Sequence, residues 1–242
     1  MPQFFIQPAQ IHGKTAILTG EEAHHLTRAL RYREGDHVWF SDGRSTQYEG
    51  KILSATPHQV TLEILQRREI LAKVQPPAMA MAILKQERWD MALQKVVELG
   101  CSTIFPFISS RTIPHYEQED IPKKVNRWQK IALEAAKQSG LPVIPQVSTP
   151  LDWTRLLQQF SNFETVLLPW EGEQIQTLHE VTQKKLGRAL IVIGPEGGFS
   201  PEEAGEAKAS GAQLVTLGSQ ILRAETASIV TFTLVQFALG NI

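Results

Sequence analysis

The chain has 242 residues, 42% hydrophobic and 20% charged, which excludes disordered and fibrous classes and fits one large domain or a large domain with a small companion. With 24 Lys+Arg against 25 Asp+Glu the formal charge is −1, which advertises neither nucleic acid nor an acidic partner. The single cysteine, Cys101, excludes a disulfide framework and a cysteine-built metal cluster within one chain, and it fits a reducing compartment. The charge is uneven: residues 1–140 carry +3 and residues 141–242 carry −4. Met1 to Ile6 show no basic leader, and the longest apolar run, Ala227 to Leu239, is too short for a membrane span and carries four polar residues. The expectation is a soluble, cytoplasmic protein.

In chain order, Thr15 to Thr19 reads as a strand and Gly20 to Leu30 as a short helix. His37 to Phe40 is strand-like and ends at the turn signal Asp42-Gly43, with Tyr48 to Leu53 as the next strand. Val60, Leu62 and Ile64 alternate with Thr61 and Glu63, the pattern of a half-buried strand. Short strands with little helix predict a small β-barrel over residues 1–73, and Gln75-Pro76-Pro77 is the linker candidate.

From residue 78 to 242 the texture alternates between strand and helix, predicting an α/β domain on a parallel sheet. Strands are expected at Ala78 to Leu84, Thr103 to Phe107, Val143 to Val147, Thr165 to Leu168, Ala189 to Ile193 and Leu214 to Leu217. Helices are expected from Trp89, over Val125 to Ala135, from an Asp152 cap to Phe160, and after the Ser200-Pro201-Glu202-Glu203 capping box, ending at Gly211. Ala224 to Leu239 has strand-like composition but no alternation, and is read as a mostly buried helix that Thr226 helps to cap.

Three strand ends attract attention. Ile191-Val192-Ile193 runs into Gly194-Pro195-Glu196-Gly197-Gly198 and then a capped helix, and glycines there let a backbone approach a ligand. A plain tight connection remains equally open on local physics, and the loop is neither a P-loop nor G-x-G-x-x-G. A second strand ends at Leu217-Gly218, after which Arg223 and Glu225 sit among apolar residues, where unpaired charge is costly, so a helix-start ion pair is the plain alternative. A third ends at Leu167-Leu168-Pro169-Trp170-Glu171, and three such ends at one edge would make a pocket. Cys101 reads as a buried small residue, and Trp89 and Trp128 as packing. No metal site is expected, since His24 and His25 are adjacent on a helix and diverge.

Gly194 to Ser200, followed by Leu217-Gly218 and Ile221-Leu222-Arg223-Ala224-Glu225-Thr226-Ala227, resembles the small-subunit (16S) ribosomal RNA uridine-N3 methyltransferase family, of the SPOUT class. Glu22 to Leu26, Ala29 to Arg31, Gly35-Asp36 and Asp42-Gly43 resemble its PUA-like RNA-binding barrel. Lys95, Glu98 to Gly100, Pro106, Glu134 to Ala136 and Gln138-Ser139 resemble its middle section. One departure stands out: Leu141 occupies a position where the family carries Arg, and Lys137 or Arg111 is a candidate substitute.

The resemblance implies a deep trefoil knot at the C-terminal edge, a homodimer with the last helix near its interface, and S-adenosylmethionine as cofactor. The cofactor would meet Leu167, Leu168 and Pro169, then Gly194, Pro195, Glu196, Gly197 and Gly198, and then Leu217, Gly218, Ile221 and Leu222. Arg223 is the candidate for stabilising charge on the uracil or holding a phosphate, and Glu196 and Glu225 are undecided candidates for the base or for orienting Arg223. RNA would meet His24, Arg28 and Arg31, spaced for one helix face, with Lys85, Arg88, Lys95 and Arg111 extending the basic surface. Small-subunit ribosomal RNA, within an assembled particle, is the expected partner, with no membrane and no metal. Two alternatives are weighed: a ribose 2′-O-methyltransferase of the same class, and a non-catalytic ribosome-assembly factor. A nucleotide hydrolase lacks the phosphate-binding lysine.

Overall fold

The computed structural model describes residues 3–70, 75–114 and 116–242. It divides into two units, Met1–Leu71 with Ala136–Ile144, and Ala72–Ala135 with Pro145–Ile242. The expected boundary at 73 lies outside the described residues, and the second unit is interrupted because Ala136–Ile144 groups with the first.

In the first unit, β1 (Phe4–Phe5), β2 (Ile11–His12), β3 (Thr15–Thr19), β4 (His37–Ser41), β5 (Thr46–Ala55) and β6 (Gln59–Glu69) form one sheet in the order β1-β4-β5-β6-β3-β2. Only the β1–β4 pair is parallel. Side chains alternate across it, so Ala16, Leu18, Val38, Phe40, Ile52, Val60 and Leu62 share one core. The expected barrel takes the form of a curled half-barrel sheet. Gly50 marks a bend: the β5–β6 register shifts there, and a Cβ at Gly50 would lie 2.8 Å from the Phe40 ring.

The strands β1 and β2 were not legible, being two residues each. The helical stretch splits into α1 (Gly20–His24) and one π-helical turn, His25–Ala29, closed by Leu30 N–H donating to the His25 carbonyl at 3.1 Å. Ala136–Ile144 is tied to this unit by Lys137 Nζ on Glu22 Oε1 at 2.7 Å, by Ile144 N–H donating to Gly43 O at 2.9 Å, and by Ser41 Oγ donating to Pro142 O.

The second unit contains β7 (Ala78–Ala82), α2 (Gln86–Glu98), β8 (Thr103–Ile108), α3 (Ile121–Ser139, whose last four residues group with the first unit), β9 (Gln146–Val147), β10 (Leu151–Asp152) and α4 (Trp153–Gln159). It continues through β11 (Thr165–Pro169), α5 (Leu178–Thr182), β12 (Ala189–Ile193), α6 (Pro201–Ala209), β13 (Ala212–Val215) and α7 (Ala224–Ala238). Every strand pair is parallel, in the order β10-β8-β7-β12-β11-β13, with β9 also on β8.

The strands β7 and β12 are buried along their whole length, which is why their sequences are apolar runs without alternation. One face, including Ala80, Leu168, Leu190 and Val192, packs on Leu156 of α4 and Ala204 and Ala207 of α6. On the other, α7 lies against β12 and α2. There Ser228 Oγ sits 3.5 Å from Met81 Sδ, and Gln236 Nε2 donates to Leu99 O at 2.6 Å. Trp89 and Trp128 pack ring on ring at 4.8 Å between α2 and α3, as expected of core residues.

Caps set the helix starts. Asp152 Oδ1 accepts from Arg155 N–H at 2.7 Å. Ser200 and Glu203 exchange backbone bonds at 3.0 and 3.2 Å, with Pro201 at the first helical position. Thr226 does not cap α7: the N-cap is Arg223, with no side-chain cap bond, and Thr226 lies within the helix.

Candidate active site

Three chain segments converge at the carboxyl ends of β11, β12 and β13. The chain passes from β11 to β12 on one side and then to β13 on the other, so β11 is the point where strand order reverses. Ligands in open parallel sheets bind at such points. Here a cavity of about 760 Å³ opens, walled by Pro169 and Trp170, by Gly194, Glu196 and Gly198, and by Leu217 to Ala224.

Each loop is shaped by its glycines. Gly198 has φ +66°, its N–H closes a turn on Pro195 O at 2.9 Å, and a Cβ there would come within 3.2 Å of Glu171 Oε1. Gly194 leaves room for Phe199, whose ring would be 3.0 Å from a Cβ. Phe199 in turn stacks on Phe107 at 6.3 Å and packs against Trp153 at 5.5 Å, anchoring the loop to the core. Gly218 has φ +115°, and its N–H donates to Thr216 Oγ1 at 3.2 Å.

The charged groups have an arrangement that the sequence did not show. Arg88, from α2, reaches the cavity and places Nη1 3.3 Å from Glu196 Oε1 and Nε 4.0 Å from Glu225 Oε1. The second oxygens, Glu196 Oε2 and Glu225 Oε2, are buried and without a hydrogen-bond partner. Glu196 lines the cavity, whereas Glu225 does not. Arg223 is exposed on the wall, so the ion pair at the start of α7 joins Glu225 to Arg88.

Of the cofactor candidates, Pro169, Gly194, Pro195, Glu196, Gly198, Leu217, Gly218, Ile221 and Leu222 line the cavity. Leu167 and Leu168 do not: both are fully buried in β11 and pack the core. Gly197 is also off the wall, because Arg111 packs over it, 3.3 Å from where its Cβ would be, and donates to its carbonyl at 2.8 Å.

The RNA candidates separate as well. Arg88 belongs to the cavity. Arg111 lies on the glycine loop, and its segment is held there by Glu203, which accepts Ser110 N–H at 2.8 Å. Lys95 pairs with Glu98 at 2.9 Å. Lys85 is exposed just before α2. His24 and Arg28 are exposed, but Arg31 is not on their helix: it follows the π turn with φ +58°, the only positive φ of a non-glycine among the described residues. Lys137, a candidate substitute for the missing Arg at Leu141, is committed to Glu22.

Trp170, which belongs to the third strand end but is not among the cofactor candidates, lines the cavity; its Nε1 donates to Phe199 O at 3.2 Å and its ring sits where a Cβ at Gly172 would be. The Trp-x-Gly pairing was the available signal. Cys101 is buried, and its burial pushes the thiol up to about 12, against bonds to Thr103 and Met79 that lower it. That thiol is no nucleophile at neutral pH.

The comparisons with known proteins agree with this geometry. Residues 73–236 match the family described as RNA methyltransferase domain, and residues 18–65 match the RNA methyltransferase PUA domain. The chain belongs to this RNA methyltransferase family. Its relatives include Ribosomal RNA small subunit methyltransferase E of Mesomycoplasma hyopneumoniae, 38% identical over 64% of this chain and 66% of that one. The protein of the same name from Bacillus subtilis is 28% identical over 98% of this chain and 96% of that one. Among solved structures, Ribosomal RNA small subunit methyltransferase E from Neisseria gonorrhoeae bound to S-adenosyl methionine is 28% identical, with TM-score 0.84 over 98% of this chain and 97% of that one.

Proposed function

We propose that this chain transfers a methyl group from S-adenosylmethionine to N3 of a specific uridine in small-subunit (16S) ribosomal RNA. The observation that carries the reading is a cavity built at the ends of β11, β12 and β13, with Glu196, Arg88 and Arg223 in its wall. Its residues fit the cofactor. The volume of about 760 Å³ is that of a small-molecule site, and the glycine loops permit close backbone approach. Arg88, Glu196 and Glu225 together carry one excess negative charge beside a cavity meant for a sulfonium and an ammonium.

Bound there, S-adenosylmethionine supplies a methyl group on a positive sulfur, an electrophile that needs an aligned nucleophile. The protein's own task is alignment and proton handling. Backbone groups at Pro169, at Gly194, Pro195, Glu196 and Gly198, and at Leu217 to Leu222 would hold the cofactor. Arg223 faces the charge that develops on the uracil carbonyls or fixes the target phosphate. Uracil N3 lies on the pairing edge, so the nucleotide enters unpaired or flipped.

RNA contacts are assigned to His24, Arg28 and Arg31 on the PUA-like unit and to Lys85 and Arg111 near the strand ends. Lys95, paired with Glu98, is the weakest of this set. The same reading includes a C-terminal trefoil knot, a cytoplasmic enzyme, an assembled particle as substrate, and a homodimer. Exposed Leu234 and Phe237 on α7, the latter 72% accessible, support the dimer.

The test is mass mapping of ribosomal RNA from cells lacking the protein. The expected result is loss of one 3-methyluridine in the small subunit, restored by the wild-type gene. Loss of a 2′-O-methyl mark would establish the ribose reading instead, and an unchanged map with no S-adenosylmethionine binding would establish an assembly factor.

A further inference from the structure

We infer, resting on the uridine-methylation reading, that Glu196 accepts the proton of the target N–H and that Arg88 and Glu225 are positioning residues that present it. Three observations divide the two carboxylates. Glu196 lines the cavity and Glu225 does not. Arg88 Nη1 is 3.3 Å from Glu196 Oε1 and thereby occupies one oxygen, leaving Oε2 buried and without a partner. Glu225, on the first turn of α7, is 4.0 Å from Arg88 Nε. Arg88 joins the two carboxylates: it and Glu196 line the cavity, and Glu225 stands behind them.

A buried carboxylate oxygen without a donor costs free energy, so a site that keeps one gains when a ligand N–H fills it. Glu196 lines the cavity, so a rotation of its carboxylate brings the buried, unpartnered Oε2 to a ligand N–H. Arg88 has a fork geometry that a lysine lacks, which lets one guanidinium address two carboxylates and fix a side chain that would otherwise sample several rotamers. Glu225 fixes Arg88. In the reaction the uracil N3–H proton passes to Glu196 Oε2 while the N3 electron pair forms the bond to the methyl carbon. The carbon–sulfur bond breaks with its electrons retained on sulfur, giving neutral S-adenosylhomocysteine, and Glu196 then returns its proton to solvent.

The donor for Glu196 Oε2 has two possible sources, the target N3–H and the ammonium of the cofactor, and calorimetry with S-adenosylhomocysteine separates them. Full-length protein is assayed on unmethylated small ribosomal subunits, with 3-methyluridine measured by mass spectrometry. Glu196→Gln should lower kcat by about 100-fold or more and abolish the acidic limb of the kcat–pH profile, with S-adenosylhomocysteine affinity within about threefold of wild type. Arg88→Met and Glu225→Gln should each lower kcat by about tenfold with little change in KM, and Arg88→Lys should recover part of the loss. The double variant Arg88→Met/Glu225→Gln should be no worse than Arg88→Met, because Glu225 acts through Arg88.

If Arg88→Met does not fold, Arg88→Lys combined with Glu225→Gln carries the same non-additivity test. A Glu196→Gln enzyme with near-wild-type kcat would overturn the assignment. So would a large loss of S-adenosylhomocysteine affinity with methylation restored at saturating cofactor, which would make the ammonium the donor. Additive losses at Arg88 and Glu225 would overturn the positioning roles. If wild-type protein forms no 3-methyluridine, the uridine reading itself fails, an outcome distinct from an active Glu196→Gln.

Discussion

The two sheets of this protein place function differently. In the parallel sheet, β7 and β12 are buried on both faces, so their side chains are committed to packing. Most ligand-facing groups lie at or beyond the strand ends, in loops whose backbone is set by Gly194, Gly198 and Gly218, with Arg88 reaching in from α2. In the half-barrel sheet one face is core and the other is open. There Arg68 of β6 lies 4.5 Å from the ring centre of Trp39 of β4, and His37 of β4 meets Glu49 of β5 at 3.0 Å. A doubly covered sheet confines chemistry to its edge, whereas a half-covered one offers its surface. Substitutions within β11 should therefore change stability, and substitutions just beyond it should change binding.

The largest expected effect tests that division at adjacent residues. Leu168→Ala removes a fully buried side chain from a core shared with Val192 and Ala204 and should destabilise the fold by about 2–5 kcal/mol. Chemical denaturation measures this, and calorimetry at low temperature should find unchanged S-adenosylhomocysteine affinity in the folded fraction. If Leu168→Ala weakened binding without loss of stability, Leu168 would be a wall residue after all.

The complementary change is Gly198→Ala. Its φ of +66° and the 3.2 Å approach to Glu171 Oε1 both resist a Cβ. A left-handed non-glycine residue costs about 1–2 kcal/mol, which reads as about tenfold weaker S-adenosylhomocysteine binding if the loop must relax away from the ligand. An affinity equal to wild type would remove the glycine loop from the binding site.

Arg111→Ala should have a smaller effect. The guanidinium is exposed and bonded to Gly197 O at 2.8 Å, so its loss leaves the core intact. RNA affinity should weaken across sequences, and the slope of log affinity against log salt should fall by about 1. An unchanged salt slope would make Arg111 a brace for the loop and nothing more.

Much of this was legible in the sequence because local chemistry decides it. Ser200-Pro201-x-Glu203 carries the residues that start a helix, and Ala189 to Ile193 is an apolar run of strand length without alternation. The glycine-loop motifs, read through family resemblance, located the cavity. What was not legible depended on distant partners. Arg88 was read as an RNA contact because nothing near it in the chain indicates Glu196 or Glu225, which lie more than 100 residues away. Leu167 and Leu168 were included with Pro169 because a strand end and its exit look continuous in sequence. Arg31 was placed on a helix face by spacing, but the π turn ends the helix first. Each correction concerns where a side chain lands after the chain has folded, which periodicity does not encode.

The smallest predicted effect belongs to the half-barrel sheet and is a dependence on pH. Burial pushes the Asp42 carboxyl up, but the N–H groups of Thr46, Arg44 and Ser45 outweigh it and hold it below the ordinary range. The three N–H groups donate to Oδ1 at 2.9–3.0 Å, closing the β4–β5 turn. Because the folded value is depressed, the stabilisation is complete above the unfolded carboxyl value of about 3.9 and is lost as pH falls through the folded one. Asp42→Asn should cost about 1 kcal/mol at pH 7, discounted for partial exposure, and the gap to wild type should close as pH falls below the ordinary carboxyl range. Glu173, Glu180 and Glu202 are also depressed, so wild-type stability falls with acid in any case. The informative quantity is therefore the difference between the two proteins at each pH. A difference that stays constant from neutral to acid would mean that Asp42 acts through shape alone, and that this turn, like the strands of the parallel sheet, is held by packing.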